Sequence, residues 1–260
     1  MKTVVMCGDM HCGIKTGLTP PSHWVSKKTP LGKVQRALWD KVERFKKDIG
    51  PIDFLCHNGD AIDGTGHRSG GTELLTTDRD EQADIATECL KFFNAKQYGM
   101  TTGTAYHTGA AEEFEKQIAK ELGCKIGGHE WYQVDDIVFD VKHHVGSSSV
   151  PYGRSTAITK SALWGQIWAD EFAAHPKGSI YCRSHVHYYG GAFGGSSGRE
   201  WFGLTLPALC GLGSRFGVKL CEGLVHFGLV VFYVEGSEWD WSKSRYVVEV
   251  KEQMPKVTKL

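Results

Sequence analysis

Short apolar runs bounded by glycine and polar residues alternate along this chain with longer stretches whose apolar residues recur every three or four positions. Val4-Val5-Met6-Cys7 and Ile52-Asp53-Phe54-Leu55-Cys56 are runs of the first kind, the pattern of a strand buried on both faces. Between them Leu31, Val34, Leu38, Val42, Phe45 and Ile49 keep a helical period, with Thr29 as N-cap and Pro30 at the first helical position. The three make a β-α-β unit. The helical period also predicts helices over 80–93, with Ile85, Cys89 and Phe92 inward, over 110–122, stopped by Gly123, and over 155–173. Residues 137–141 and 179–182 read as later strands of the same core sheet, and 98–102 as a short segment preceding a loop and a helix.

After Tyr188 the pattern changes. Gly190, Gly191 and the run Gly194-Gly195-Ser196-Ser197-Gly198 read as a loop, and 201–209, 225–235 and 245–250 read as strands without helices between them. An α/β sheet packed on a second, more antiparallel sheet, a two-sheet core sandwich flanked by helices, is the simplest architecture covering both halves. No internal repeat and no long linker divides the chain, so residues 1–250 are expected as a single domain and 251–260 as a polar tail.

Composition narrows the classes of function. With 260 residues, 41% apolar and 23% charged, the chain is globular rather than disordered. Its 30 Lys and Arg balance 30 Asp and Glu, which argues against nucleic-acid binding through a pervasive positive field but leaves room for a local basic groove. Apolar stretches such as Leu229-Val230-Val231-Phe232-Tyr233-Val234 fall far short of the roughly 20 residues that span a bilayer. The N-terminal run ends at once in Gly8-Asp9 and reads as a buried strand, not a signal peptide. Eight cysteines without a C-x-x-C pair, most of them inside apolar segments, read as reduced thiols and predict a cytoplasmic location. The unusual count is 12 histidines.

Their placement carries the chemistry. Asp9-Met10-His11 stands just past one strand and Gly59-Asp60, with Asp63, just past the next; Gly103 to His107 follows 98–102, His143-His144 closes 137–141, and Ser184-His185-Val186-His187 closes 179–182. Ligands of open α/β sheets sit beyond the carboxyl ends of strands, so topology directs all five segments to one crevice. Carboxylates and imidazoles in that number suit two divalent cations bridged by one carboxylate. Taken singly each piece is weak, because Gly-Asp is a common turn and an adjacent histidine pair often has one core and one solvent-facing ring.

In order, these segments resemble the signature of the calcineurin-like metallophosphoesterase superfamily: D-x-H, G-D-x-x-D, G-N-H-D/E, a strand-terminal H, and G-H-x-H. The resemblance covers residues 1–190 and is nearest to divergent members found in bacteriophage genomes. It implies a four-layer αββα fold. It implies a hydrolase, a phosphatase or phosphodiesterase acting through a metal-bridging hydroxide, with a metal-dependent nuclease or a non-catalytic, metal-stabilised binding module as alternatives. It implies two divalent transition-metal ions, manganese, iron or zinc, and a phosphate-ester substrate, with nucleic acid among the candidates. Asp9, His11 and His187 would hold the first ion, His143 and His185 the second, and Asp60 would bridge them. His144 is the alternative to His143, since period-two geometry turns only one of the pair inward. His107 would protonate the leaving oxygen or hydrogen-bond to the phosphoryl group, and Asp63 would orient a ligand or His107, unless it is only a turn carboxylate. Two positions depart from the pattern. Thr104 stands where the family has its Asn ligand, with the histidine arriving three residues later, and Ser184 replaces a glycine. Thr104 or a backbone carbonyl would have to fill the vacant ligand position. His57 is expected beside the ligands and His226 as a satisfied core imidazole, while Gly211-Leu212-Gly213 lies outside any β-α-β unit and does not read as a dinucleotide loop.

Overall fold

The computed structural model describes residues 1–109, 113–148, 150–196, 199–211 and 224–246. In chain order the elements are β1 Lys2–Cys7, α1 Pro30–Ile49, β2 Phe54–Asn58, α2 Arg79–Phe92, β3 Gln97–Thr101, α3 Ala105–Thr108, α4 Glu113–Glu121, β4 Ile126–Gly127, β5 Glu130–Val134, β6 Ile137–Val141, α5 Thr156–Glu171, β7 Ile180–Arg183, β8 Gly190–Ser196, β9 Arg199–Thr205, β10 Phe227–Glu235 and β11 Glu238–Tyr246. Helix α1 begins as expected: the Thr29 side chain accepts the Gly32 amide, Pro30 follows, and Gly50 closes the helix at φ 75°. Such a cap contributes about 1 kcal/mol.

The strands form two sheets, one ordered β11-β10-β1-β2-β3-β4 and one ordered β5-β6-β7-β9-β8. Strands β1 to β4 run parallel, as do β6, β7 and β9. Between the sheets lies an apolar layer including Met6, Cys56, Phe139, Val141, Cys182, Phe202 and Phe232. The other face of the first sheet packs on α1, α2 and α4 through Leu38, Phe45, Ile85, Cys89, Ile118 and Val231. The other face of the second sheet packs on α5 through Ile158, Ala162, Tyr181 and Trp201. The result is a mixed α/β sandwich of two sheets flanked by helices, in four layers.

Several elements fall differently from the expectation. Strands β6 and β7 belong to the second sheet, not to the sheet of β1 and β2. Conversely β10, from the strand-rich second half, lies antiparallel to β1 in the first sheet. Run 227–234 is apolar on both faces and 137–141 carries a single polar residue, Asp140, on its outer face, so either pattern fits a central strand of both sheets and says nothing about which sheet receives it. The glycine-rich segment is not a loop: Gly190–Ser196 is edge strand β8, paired antiparallel with β9, whose Trp201 and Phe202 rings lie over Gly194 and Gly191. Strand β9 ends at Thr205, short of the expected 209, and β11 begins at Glu238, just past a turn from β10, rather than at 245. Residues 247–250 of the expected last strand, and the expected tail 251–260, lie outside the described residues. So do 110–112 of the expected third helix. No helix among the described residues is long and apolar enough to cross a membrane.

Candidate metal centre

The carboxyl ends of β1, β2 and β3 in one sheet, and of β6 and β7 in the other, open on the same edge. Backbone hydrogen bonds lace these ends together: Asp9 N to Gly59 O at 3.0 Å, His11 N to Asp60 O at 3.0 Å, and Ser184 N to His143 O at 2.8 Å. The Asn58 side chain joins the sheets by donating to Lys142 O at 3.2 Å.

This lacing holds side chains inward at a conformational cost. Among the described residues seven non-glycine residues have positive φ, and five of them are Asp9, His11, Asp60, His185 and His187. A left-handed backbone costs an L-residue about 1–2 kcal/mol, so such a concentration persists only where the surroundings over-determine it. Two glycines permit the approach. A Cβ on Gly103 would collide with the Asp60 carboxylate, and one on Gly59, at φ 77°, would meet the His143 ring at 2.5 Å.

Asp60 is central. Its Oδ2 lies 3.0 Å from His143 Nε2, while its Oδ1 accepts the Thr104 amide at 2.7 Å and the Thr104 hydroxyl at 3.1 Å. His143 Nδ1 donates to Asn58 O at 2.7 Å, which turns Nε2 toward the carboxylate. On the other side His11 Nε2 and His187 Nε2 face each other at 3.1 Å, with Asp9 Oδ1 3.4 Å from His187 Nε2. The His185 amide donates to Asp9 Oδ2 at 3.1 Å. His107 Nδ1 donates to the backbone oxygen of Asp63 at 2.8 Å, and the Asp63 carboxylate lies 3.2 Å from His11 Nδ1. Asp63 thus touches both His11 and His107. His144 is exposed and turns away; its ring lies 4.8 Å from that of His185 but its nitrogens join no ligand group among the described residues.

Burial sets the protonation pattern. Desolvation opposes the charge of Asp60, but bonding to His143 and attraction by the surrounding imidazoles outweigh it and keep the carboxyl ionised. Burial likewise lowers His143, yet the Asp60 partnership prevails and lifts it to about 9. Burial and the charge of His143 push His185 down to about 4. Burial and the charge of His11 lower His107.

Divalent ions fit these residues. Among the described residues three sets of ligand atoms lie within 4.8 Å of one another: His11 with Asp60 and His107, Asp60 with His143 and His185, and His11 with His187 and Cys210. His143 Nε2 and His11 Nδ1 are buried without a well-directed hydrogen bond, although carboxylate oxygens stand 3.0 and 3.2 Å away. Neutral imidazoles and carboxylates are donors that borderline transition metals accept.

Two residues of this neighbourhood escaped the sequence reading. Glu115 of α4 is fully buried, its Oε1 accepting the Ala61 amide at 2.9 Å and its Oε2 the Gly103 amide at 2.7 Å, so one carboxylate ties the Asp60 loop to the Thr104 loop. Its signal was a carboxylate on the same helical face as Ile118, Ala119 and Leu122. Cys210 places Sγ 3.7 Å from His187 Nδ1, behind the ring; its apolar surroundings gave no signal. His57 is fully buried with neither ring nitrogen bonded, and desolvation lowers it to about 4. His226 is buried and accepts the Tyr189 amide at 2.9 Å, the core role expected of it.

No family model and no curated protein matches the chain. Among solved structures it is similar to a zinc-complexed Vps29 from Entamoeba histolytica, with 13% identity over 94% of this chain and 98% of that one and a TM-score of 0.46. It is similar to an archaeal phosphodiesterase, with 12% identity over 93% and 99% and a TM-score of 0.46, and to a predicted phosphoesterase from Streptococcus pneumoniae, with 10% identity over 94% and 89% and a TM-score of 0.40.

Proposed function

We propose that this chain is a metal-dependent phosphoric ester hydrolase of the calcineurin-like superfamily, of the divergent bacteriophage type, working with two divalent ions of manganese, iron or zinc. One observation carries the reading: Asp60 is the shared member of two ligand groups, His11–Asp60–His107 and Asp60–His143–His185. A carboxylate placed between two sets of imidazoles is what a bridged pair of ions requires. Asp9, His11 and His187 would hold the first ion, and His143 and His185 the second. Bound ions supply hydroxide near neutral pH and neutralise charge developing on the phosphoryl oxygens.

The chain's other residues orient and move protons. Asp63 fixes the rings of His11 and His107 by contact with both Nδ1 atoms. With its Nδ1 committed, His107 presents Nε2 to the site, where it passes a proton to the leaving oxygen; the negative charge of a phosphate ester opposes the lowering imposed by burial and His11. Thr104 bonds to Asp60 and so orients the bridge. The described cysteines are all free and six of the seven are buried, which supports the expectation of a reducing, cytoplasmic compartment.

The test is elemental analysis beside activity on phosphomonoesters and phosphodiesters, after chelation and reconstitution with each metal. Close to two ions per chain and chelator-sensitive hydrolysis are expected. Full hydrolysis with chelator present, or one ion at saturation, overturns the reading.

A further inference from the structure

A cleft of about 1220 Å³ opens beside the packing of α5 on the outer face of the second sheet. One side is formed by the alternate row Asp140, Lys142 and His144, the other by Lys160, Trp164 and Trp168. The row from Asp140 to His144 spans about 13 Å of extended chain. It reaches the metal centre at His144, whose ring lies 4.8 Å from the ring of His185.

The charges in this cleft do not cancel. Asp140 is already answered by Arg183 at 2.7 Å and His129 at 2.8 Å. Lys142 and Lys160 are exposed and have no ion-pair partner among the described residues. A chain with zero net charge therefore carries a local excess of positive charge beside its metal centre. The indoles differ: Trp168 stacks on Phe172 at 5.1 Å and faces His175 at 6.4 Å, whereas Trp164 is unspent. Trp164 is 53% exposed, one turn before Trp168 at 50%, and Trp164 has no ring partner among the described residues. Exposed indoles in a row, flanked by lysines, make a surface for planar groups joined by anions.

We propose that this cleft binds single-stranded nucleic acid, with bases on the tryptophans and backbone phosphates on Lys142 and Lys160, and leads one phosphodiester to the centre at its His144 end. The proposal deepens the hydrolase reading and rests on it for the last step. A duplex is disfavoured because its bases, stacked on one another, cannot reach the indole faces. The charge excess is what selects nucleic acid over a protein partner, which an apolar row alone would suit.

Binding is tested first with chelator present, using the anisotropy of a labelled oligothymidylate of about eight nucleotides. The wild-type protein should bind it. Trp164→Ala should weaken binding roughly tenfold and Trp164→Phe should restore most of it. Changing Lys142 and Lys160 to Ala together should flatten the dependence of log affinity on log salt by about 1.4. In the metal-loaded protein, Trp164→Ala should cost roughly tenfold more in kcat/KM with the oligonucleotide than with bis(p-nitrophenyl) phosphate. Absence of binding by the wild type, or equal losses on both substrates, overturns the proposal. So does a Trp164→Ala protein that changes oligomeric state without changing affinity for the oligonucleotide, which would make this face a protein interface. Binding that obeys these rules without hydrolysis of either substrate by the loaded protein would leave the cleft standing and overturn the hydrolase reading alone.

Discussion

Along β6 and the residues after it, Phe139, Val141 and His143 turn toward the six-stranded sheet and are buried, while Lys142 and His144 turn toward α5 and are exposed. One strand thus serves two environments by alternation. On the inner side the ligand-bearing groups are buried, the rings are turned by contacts such as His143 Nδ1 to Asn58 O, and the backbone is strained. On the outer side cations and indoles remain solvated. A group that must hold an ion at fixed geometry belongs on the first face, because there each side chain has little freedom left to lose. A group that must meet a variable, flexible ligand belongs on the second.

The largest effect that would sharpen this contrast is Asp60→Asn. Both ligand groups share this carboxylate, so metal content should fall at both sites and activity should drop on the order of 10⁴-fold, the scale seen when groups acting as a unit are dismantled. Retention of both ions by the variant would break the contrast at its centre. His107→Ala comes next, with a loss of roughly 10²- to 10⁴-fold expected for a lost proton donor while metal content is kept. Its atoms lie in one of the ligand groups, so elemental analysis decides: collapse of metal content would make His107 a ligand. The loss should shrink with an aryl leaving group, which scarcely needs a proton.

Much of the inner face was legible in the sequence because strand ends are punctuated. Asp9, Asp60, His143 and His187 each follow an apolar run at the point where it stops, and parallel topology brings such points together. Assignment of the strands to sheets was not legible, since Phe227 to Val234 is apolar on both faces and Ile137 to Val141 departs from that only at Asp140, so both satisfy either sheet. Strand β8 was hidden because its glycines pack through β9's rings rather than their own. The outer face was hidden for a different reason: Trp164 and Trp168 keep the helical period of α5, and a periodic aromatic reads as core until the structure shows it exposed. Glu115 was missed because a lone carboxylate in a helix is normally solvated.

Glu115 tests how far the inner face depends on support from behind. Glu115→Ala leaves the amides of Ala61 and Gly103 buried without acceptors, a loss of about 2–4 kcal/mol, read as a lower melting temperature and weaker metal retention. Burial, and then the charge of Asp60, push its carboxyl up from 4.5 to about 7. A folded pKa above the unfolded one means that this group's contribution falls as pH rises from 4.5 through 7; Glu115→Gln should flatten that segment of the stability curve. An unchanged slope would show that the carboxyl stays ionised, as its two amide donors favour.

His143 gives a smaller, graded effect. The Asp60 partnership holds it at about 9, above the ordinary imidazole value of 6.5, so in the metal-free protein its proton stabilises fully below 6.5 and that stabilisation is lost as pH rises through 9. An ion must displace the same proton. Metal affinity should therefore climb across this window by up to about tenfold per pH unit, with proton release measurable by calorimetry in two buffers. Affinity independent of pH would mean that His143 already binds as the neutral ring.

The smallest effect concerns Thr104, where the chain departs from the family pattern. Its hydroxyl hydrogen goes to Asp60, at 3.1 Å, and its amide reinforces the same oxygen at 2.7 Å. The side chain is thus engaged in holding the bridge, and a shorter, bonded hydroxyl is a poor substitute for an Asn oxygen at the second ion. That ion should be held more weakly than the first, leave first on dilution or mild chelation, and take activity with it, because a single ion cannot both supply hydroxide and neutralise the phosphate as well. Thr104→Val removes only the hydroxyl bond and leaves the stronger amide bond, so the second affinity should weaken by about threefold to tenfold, while Thr104→Ser should stay near wild type. Isothermal titration resolves the two steps. Two indistinguishable affinities, together with no effect of Thr104→Val, would show that another group completes the second site and that the Thr104 hydroxyl is incidental to the bridge.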